Sequence, residues 1–223
     1  MNLSELLTIR PGITALIGGG GKTTAMYTLA RELSEDATVV CTTTTHIYPP
    51  SHLPVLDGKN DGKLACALGW CRCVCVGVPT PEGKLSAPPF SPYRLAELAR
   101  YVLVEADGSR GLPVKAHLAH EPVIPDLTGL TLGLAGASGF GRPVREAVHR
   151  WERFCALTGA GPEDPVTAEN LARLLLAEGL EDKLFINQAE SAGAMEEARR
   201  LAAMLPRPVF AGSMQGGIWE CLS

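Results

Sequence analysis

The sequence predicts an α/β chain, a three-layer α/β/α sandwich built on a mostly parallel sheet. Three observations carry that expectation. Short apolar runs rich in β-branched residues, such as Ile13–Ile17 and Tyr101–Glu105, recur along the chain. Between them lie segments whose apolar residues repeat at helical spacing, and strands alternating with helices make parallel sheets covered on both faces. The first apolar run also passes straight into four glycines and then a helical pattern.

The elements follow in order. Asn2 suits the cap of a short first helix. Ile13–Ile17 is the first strand, and Met26, Leu29, Ala30 and Leu33 mark a helix over Lys22–Ser34. Ala37–Cys41 reads as the second strand and ends in Thr42-Thr-Thr-Thr-His46. Residues 51–69 look irregular, with turn signals at Asp57-Gly58 and Asp61-Gly62. Arg72–Val78 is a strand, and Ser91-Pro92 opens a helix that runs to Arg100. After the strand Tyr101–Glu105 comes another at Leu130–Leu134. Val144, Val148, Trp151 and Cys155 predict one helix, and Leu171, Leu174 and Leu175 the next. Leu184–Asn187 is a short buried strand, a helix spans Ala194 to Leu205, and Pro208–Ala211 is the last strand. With no repeat and no break in composition, residues 1–223 are expected to form a single domain.

The turn after the first strand is the most informative segment. Gly18, Gly19, Gly20 and Gly21 are followed by Lys22, Thr23 and Thr24. Glycines let backbone N–H groups approach one anion, a lysine reaches terminal phosphates, a hydroxyl can bind Mg²⁺, and the helix N-terminus adds its dipole. The full phosphate-loop pattern needs a glycine five residues before Gly21, where Leu16 stands, so the loop is a shortened one, Gly18-x-x-Gly21-Lys22-Thr23-Thr24. Similar loops occur in some ATP-dependent ligases. The competing interpretation is a glycine-rich connection with a chance lysine. Strand before and helix after make a P-loop NTPase-like fold the expectation.

Composition bounds the rest. A hydrophobic share of 46% supports a core, and a net charge of −4 gives no sign of a nucleic-acid surface. No apolar run reaches membrane-spanning length and the first residues lack a secretion signal, so no membrane is expected. Seven cysteines, an odd number, fit a reduced cytoplasm.

A second constellation ends a buried strand with two carboxylates, Glu105-Ala106-Asp107-Gly108. A P-loop protein needs an acid at such a strand end to hold Mg²⁺ directly or through water. Glu105 fits the strand end better, and Asp107 a loop role. Thr42–Thr45 and His46 fall where open parallel sheets bind ligands, and their hydroxyls suit phosphate, water or Mg²⁺ as well as they suit a capped turn. Arg110 and Lys115 suit an anionic partner, such as a phosphate or a carboxylate, or else stand as solvated loop charges. His117, His120 and Glu121, with His46, offer few ligands and no metal-binding spacing. Cys71, Cys73 and Cys75 alternate, so a strand would place all three on one face, about 6.6 Å apart. That spacing favours small buried hydrophobes over ligands to one metal. Trp70, Trp151 and Trp219 are isolated and read as core or edge packing.

Gly18–Thr24, Thr42–His46, Glu105–Lys115 and His120–Pro125, together with Val148–Arg150 and Phe185–Asn187, resemble the selenium-dependent molybdenum hydroxylase accessory proteins, the YqeC-like family. The resemblance runs through most of the chain. It implies a P-loop NTPase-like factor serving maturation of a molybdenum hydroxylase or its cofactor. The positions carried over are Gly18 to Thr24, Thr43, Thr44, Thr45, His46, Glu105, Asp107, Gly108, Ser109, Arg110, Lys115, His120 and Glu121. Asn187-Gln-Ala-Glu190 stands where GTPases place Asn-Lys-x-Asp, but with Gln and Glu substituted it gives no firm guanine signal and reads more readily as an ordinary strand end.

The expected activity is that of a nucleoside-triphosphatase or a phosphoryl or nucleotidyl transferase using Mg²⁺ with ATP or GTP. Lys22, Asp107 and Arg110 are the expected catalytic residues, with Thr23 and Glu105 on the metal. Gly18–Thr24, Thr43, Thr44, His46, Lys115 and His120 are the expected binding residues. A molybdenum hydroxylase or its cofactor is the expected client, and a homodimer is compatible with the P-loop architecture. A small-molecule kinase or ligase-like enzyme, or a non-catalytic nucleotide-gated scaffold, fits the same motifs.

Overall fold

The computed structural model describes all 223 residues. Its elements run α1 (Leu3–Leu6), β1 (Gly12–Gly18), α2 (Lys22–Leu33), β2 (Val39–Thr43), β3 (His46–Ile47), β4 (Val55–Leu56), α3 (Asp61–Cys71), β5 (Cys73–Val76), β6 (Val78–Pro79), β7 (Leu85–Ser86) and α4 (Pro92–Leu98). They continue as β8 (Tyr101–Glu105), β9 (Val114–Lys115), β10 (Thr128–Gly136), α5 (Val144–Ala147), β11 (Val148–His149), α6 (Trp151–Thr158), α7 (Ala168–Glu178), β12 (Lys183–Asn187), α8 (Ala192–Ala202), β13 (Val209–Ser213) and β14 (Ile218–Cys221). The fold is α/β, with mostly parallel sheets and flanking helices of the P-loop NTPase-like class.

Two compact units divide the chain. The first comprises Met1–Leu16, Thr23–Asp107 and Val123–Thr131; the second comprises Ile17–Lys22, Gly108–Pro122 and Leu132–Ser223.

In the first unit the strand order is β1-β8-β2-β5-β4, all parallel. Val102, Leu103 and Val104 of β8 are fully buried, as expected of a strand covered on both faces. One face packs Val40, Val74, Val76, Val102 and Val104 against Leu64, Leu68 and Leu95 of α3 and α4. A small antiparallel sheet, β3-β7-β6, lies in the same unit.

The second unit orders its strands β10-β12-β13-β14, with only β14 antiparallel. Its core gathers Phe154 of α6, Leu171 and Leu174 of α7, and Leu201 of α8 around Ala135, Ile186 and Ala211. A two-stranded parallel pair, β9 and β11, joins Val114 to Val148 and Lys115 to His149.

Several expectations are corrected. Residues 61–71 form helix α3 rather than an irregular stretch. The Asn60-Asp61-Gly62 letters that signal a turn act as a cap, the Asn60 side chain accepting from Lys63 N at 2.9 Å. Cys71 therefore ends a helix and is exposed, Arg72 turns the chain in the left-handed region at φ 54°, and only Cys73 and Cys75 share the strand. Cys75 lies opposite Cys41 on β2, and burial pushes its thiol up to about 12, so it packs as a small hydrophobe. Trp70 is 85% exposed, because α3 buries Leu64 and Leu68 on its other face. The single helix expected through Val144–Cys155 is two, since Val148-His149 leaves the helix to pair with β9 and Arg150 takes a left-handed conformation at φ 65°. No helix is long and apolar enough to cross a membrane.

One buried charge in the second unit gives a stability test. Burial pushes the Glu181 carboxyl up to about 6, although Arg207 pairs with it at 2.6 Å and opposes the shift. A raised carboxyl pKa gives a stability contribution that is present below the unfolded value and lost as pH rises through about 6. Between pH 4.5 and 7.5 the loss is about 2 kcal/mol. Relative to wild type, Glu181→Gln should gain about that much on going from pH 4.5 to 7.5 in urea unfolding. An equal difference at both pH values would remove Glu181 as the cause.

Candidate functional site

The glycine-rich turn belongs to the second unit up to Lys22. Gly18, Gly19 and Gly20 are buried, Gly21 and Thr23 are half-buried, and Thr24 is exposed. Close packing dictates glycine here before any ligand is considered. A Cβ on Gly18 would stand 2.3 Å from Leu134 O, and one on Gly20 2.2 Å from Gly136 N. Gly20 also has φ +71°, a conformation that side chains disfavour.

The turn is tied down by specific bonds. Gly19 N donates to Leu134 O at 2.9 Å, and Gly20 N to Leu112 O at 3.2 Å. Asn187 Nδ2 donates to Gly20 O at 2.8 Å, while its Oδ1 accepts from Met214 N at 3.0 Å. The Gly19 and Gly20 amides therefore hold the loop. The N–H groups of α2's first turn have no intrahelical acceptor and point outward from the N-terminus with the helix dipole. Lys22, 4% exposed, donates its ammonium to Gly18 O at 2.6 Å, folded back along its own loop.

Thr23, the next residue, belongs to the first unit. Its Oγ1 donates to Glu105 Oε2 at 2.7 Å. Glu105 ends β8 at 6% exposure, and Asp107, at 1%, follows two residues later. A hydroxyl and a buried carboxylate in contact are the oxygen donors that Mg²⁺ prefers, so the residues present fit that ion. The loop with Lys22 likewise fits a phosphate chain.

The threonine run braces this strand end. Thr42 Oγ1 donates to Val76 O and Thr43 Oγ1 to Glu105 O, each at 2.8 Å. Thr44 Oγ1 donates to Val123 O at 2.8 Å, and Thr44 N to Glu105 O at 3.2 Å. Thr43 and Thr44 thus fix the backbone of Glu105 and its neighbours. Thr44 also lines a cavity of about 520 Å³ with Tyr93 and Leu127. His46 is exposed on β3, and Thr24 is exposed on α2.

The remaining candidates lie in the second unit. Lys115 donates to Gly108 O at 2.8 Å and pairs with Glu121. Arg110 is exposed, with φ 52°. His117 bonds Glu178 through its ring and its backbone N–H, both at 2.7 Å, which makes it a structural pair. His120, with 74% of its side chain exposed, stands 4.0 Å from Glu121. No group of three or more His, Cys, Asp or Glu is placed to hold a metal ion. Reasoning from sequence missed Leu112 and Leu134, whose carbonyls anchor the loop, because backbone acceptors leave no sequence signal. Asn187 carried a signal in its GTPase-like position; its observed role is to hold the loop.

The profile of the family described as "YqeC protein" matches residues 14–152. That span contains the glycine-rich turn, the threonine run and both carboxylates. The chain is also similar to a protein of Escherichia coli (strain K12) named "Uncharacterized protein YqeC", with 32% identity over 184 residues, 74% of this chain and 68% of the relative. On both findings, the chain belongs to the YqeC family.

Proposed function

We propose that the protein binds a nucleoside triphosphate, ATP or GTP, with Mg²⁺ and hydrolyses it in the service of molybdenum hydroxylase maturation. One observation carries the nucleotide part: the Thr23 hydroxyl on the Glu105 carboxylate at 2.7 Å, next in sequence to a buried lysine on a glycine-rich turn. The client is supported by the family resemblance.

Lys22 would leave Gly18 O for the β- and γ-phosphate oxygens, stronger acceptors because they carry negative charge and add a Coulombic attraction that a neutral carbonyl lacks. The amides from Gly21 to Thr24 would receive the same phosphates. Thr23 and Glu105 would hold Mg²⁺, which supplies charge neutralisation on the phosphate chain. Asp107 would orient the attacking water or acceptor hydroxyl, and Arg110 would answer the charge that develops on the leaving phosphates.

Phosphate release from ATP and GTP tests this proposal. Release should require Mg²⁺ and fall at least about 100-fold in Glu105→Gln, the scale of a lost charge-stabilising contact. Release that is indifferent to Mg²⁺ and to Glu105→Gln would exclude this metal site. Appearance of the phosphoryl group on an added acceptor, instead of free phosphate, would assign the same machinery to a transferase.

A further inference from the structure

The pair β9–β11 in the second unit carries a compact polar cluster that the nucleotide site does not use. Arg150 donates Nε to Glu121 Oε1 at 3.0 Å, and its Nη2 lies within ion-pair distance of the same oxygen, also at 3.0 Å. Lys115, its side chain fully buried, pairs with the same carboxylate. His149, directly opposite Lys115 in the parallel register, is 9% exposed. Its carbonyl accepts from Ala116 N at 3.0 Å, but the imidazole enters no hydrogen bond within the protein. Its ring nitrogens are not sealed from solvent either. A mostly buried residue whose ring nitrogens are reachable and bonded to no protein group leaves both nitrogens open to a ligand or to water. The charged groups whose fields reach it are Lys115 on β9, Arg150 after β11, Glu121 and, most weakly, Arg110 on the loop before β9; Arg110 makes no ion pair.

We propose that His149, Arg150 and Arg110 bind the oxyanion of a small molecule, a phosphate or carboxylate group, with the imidazole donating a hydrogen bond to it. Two guanidinium groups and a ring N–H suit a compact anion. His149 and Arg150 belong to neither Gly18–Thr24 nor the Glu105–Asp107 strand end. Arg110 is shared with the proposed nucleotide chemistry, so the site stands on His149 and Arg150 whether or not a nucleotide binds. Burial first, then Lys115, Arg150 and Arg110, hold the imidazole below its ordinary pKa, with Glu121 opposing. A bound anion reverses that field and favours the imidazolium. Binding therefore takes up a proton, and by reciprocity the anion binds more tightly as pH falls.

The test follows the ring resonances of the five histidines by NMR, with His149→Gln assigning the relevant one. Sulfate serves as a tetrahedral anion that does not titrate, acetate as the carboxylate, and chloride at matched ionic strength as reference. Sulfate or acetate should raise the His149 pKa by about one unit in a saturable way, with roughly fivefold tighter binding at pH 5.5 than at pH 8. Whichever anion acts identifies the group. Arg110→Met, a change at an exposed position, should weaken the response, and Arg150→Met should abolish it. Lys22→Ala should leave it intact. No saturable shift beyond chloride would overturn the proposal, as would a response that survives both arginine changes. A response lost in Lys22→Ala would overturn it too, by moving the anion to the glycine-rich turn.

Discussion

Lys22→Ala is expected to lose nucleotide affinity by about 100-fold or more while remaining folded. Its ammonium would make hydrogen bonds to charged phosphate oxygens, each worth about 1.5–3 kcal/mol, and about 2.7 kcal/mol is a factor of 100. The cost to folding is of the same order. Lys22 makes a charge-assisted hydrogen bond to Gly18 O at 2.6 Å, and losing such a bond costs about 1.5–3 kcal/mol, less than the ~5–15 kcal/mol that holds a domain folded. Thermal unfolding and circular dichroism would confirm the fold, and a titration with Mg²⁺-nucleotide would read the affinity. Unchanged affinity in a folded variant would take the lysine out of the phosphate site.

Gly20→Ala should have the opposite character, a large loss of stability. The new Cβ would lie 2.2 Å from Gly136 N and 2.5 Å from Gly136 Cα, both backbone atoms with little room to yield, at φ +71°. Overpacking against backbone and a left-handed alanine together should cost about 3 kcal/mol or more. Gly69→Ala is the matched control. It lies within α3 with nothing near the added Cβ, so it should gain about 0.5–1 kcal/mol. Urea unfolding of both variants measures the contrast. If Gly20→Ala were as stable as wild type, the observed packing of the turn on β10 could not persist in solution.

The glycines show why the sequence is legible here and ambiguous at the same time. Four glycines before Lys-Thr announce a phosphate cradle by their order. The structure adds a second cause for three of them, close approach of Leu134, Leu112 and Gly136. The Thr23–Glu105 contact was readable because each residue sits at the end of a strongly apolar strand or the start of a helix, where register is set by burial. Thr42–Thr44 were readable as a strand end but not in function, since a threonine hydroxyl can serve a ligand or a carbonyl equally well. Their bonds to Val76 O, Glu105 O and Val123 O depend on tertiary partners far along the chain. The break at Val148–Arg150 was hidden because the helical spacing of Val144, Val148 and Trp151 also fits a helix–strand–helix path, and only pairing with Val114-Lys115 decides it. Helix α3 was hidden for a local reason: Asn-Asp-Gly marks a turn and an N-cap with the same letters.

The most direct measurement is a calorimetric titration of the wild-type chain with ATP, GTP and CTP, each with and without Mg²⁺. At least one nucleotide should bind one-to-one with Mg²⁺, weaken when the metal is chelated, and be lost in Lys22→Ala. No binding of any of the three at millimolar concentration, by a chain whose fold is intact, would contradict a triphosphate site at Gly18–Thr24.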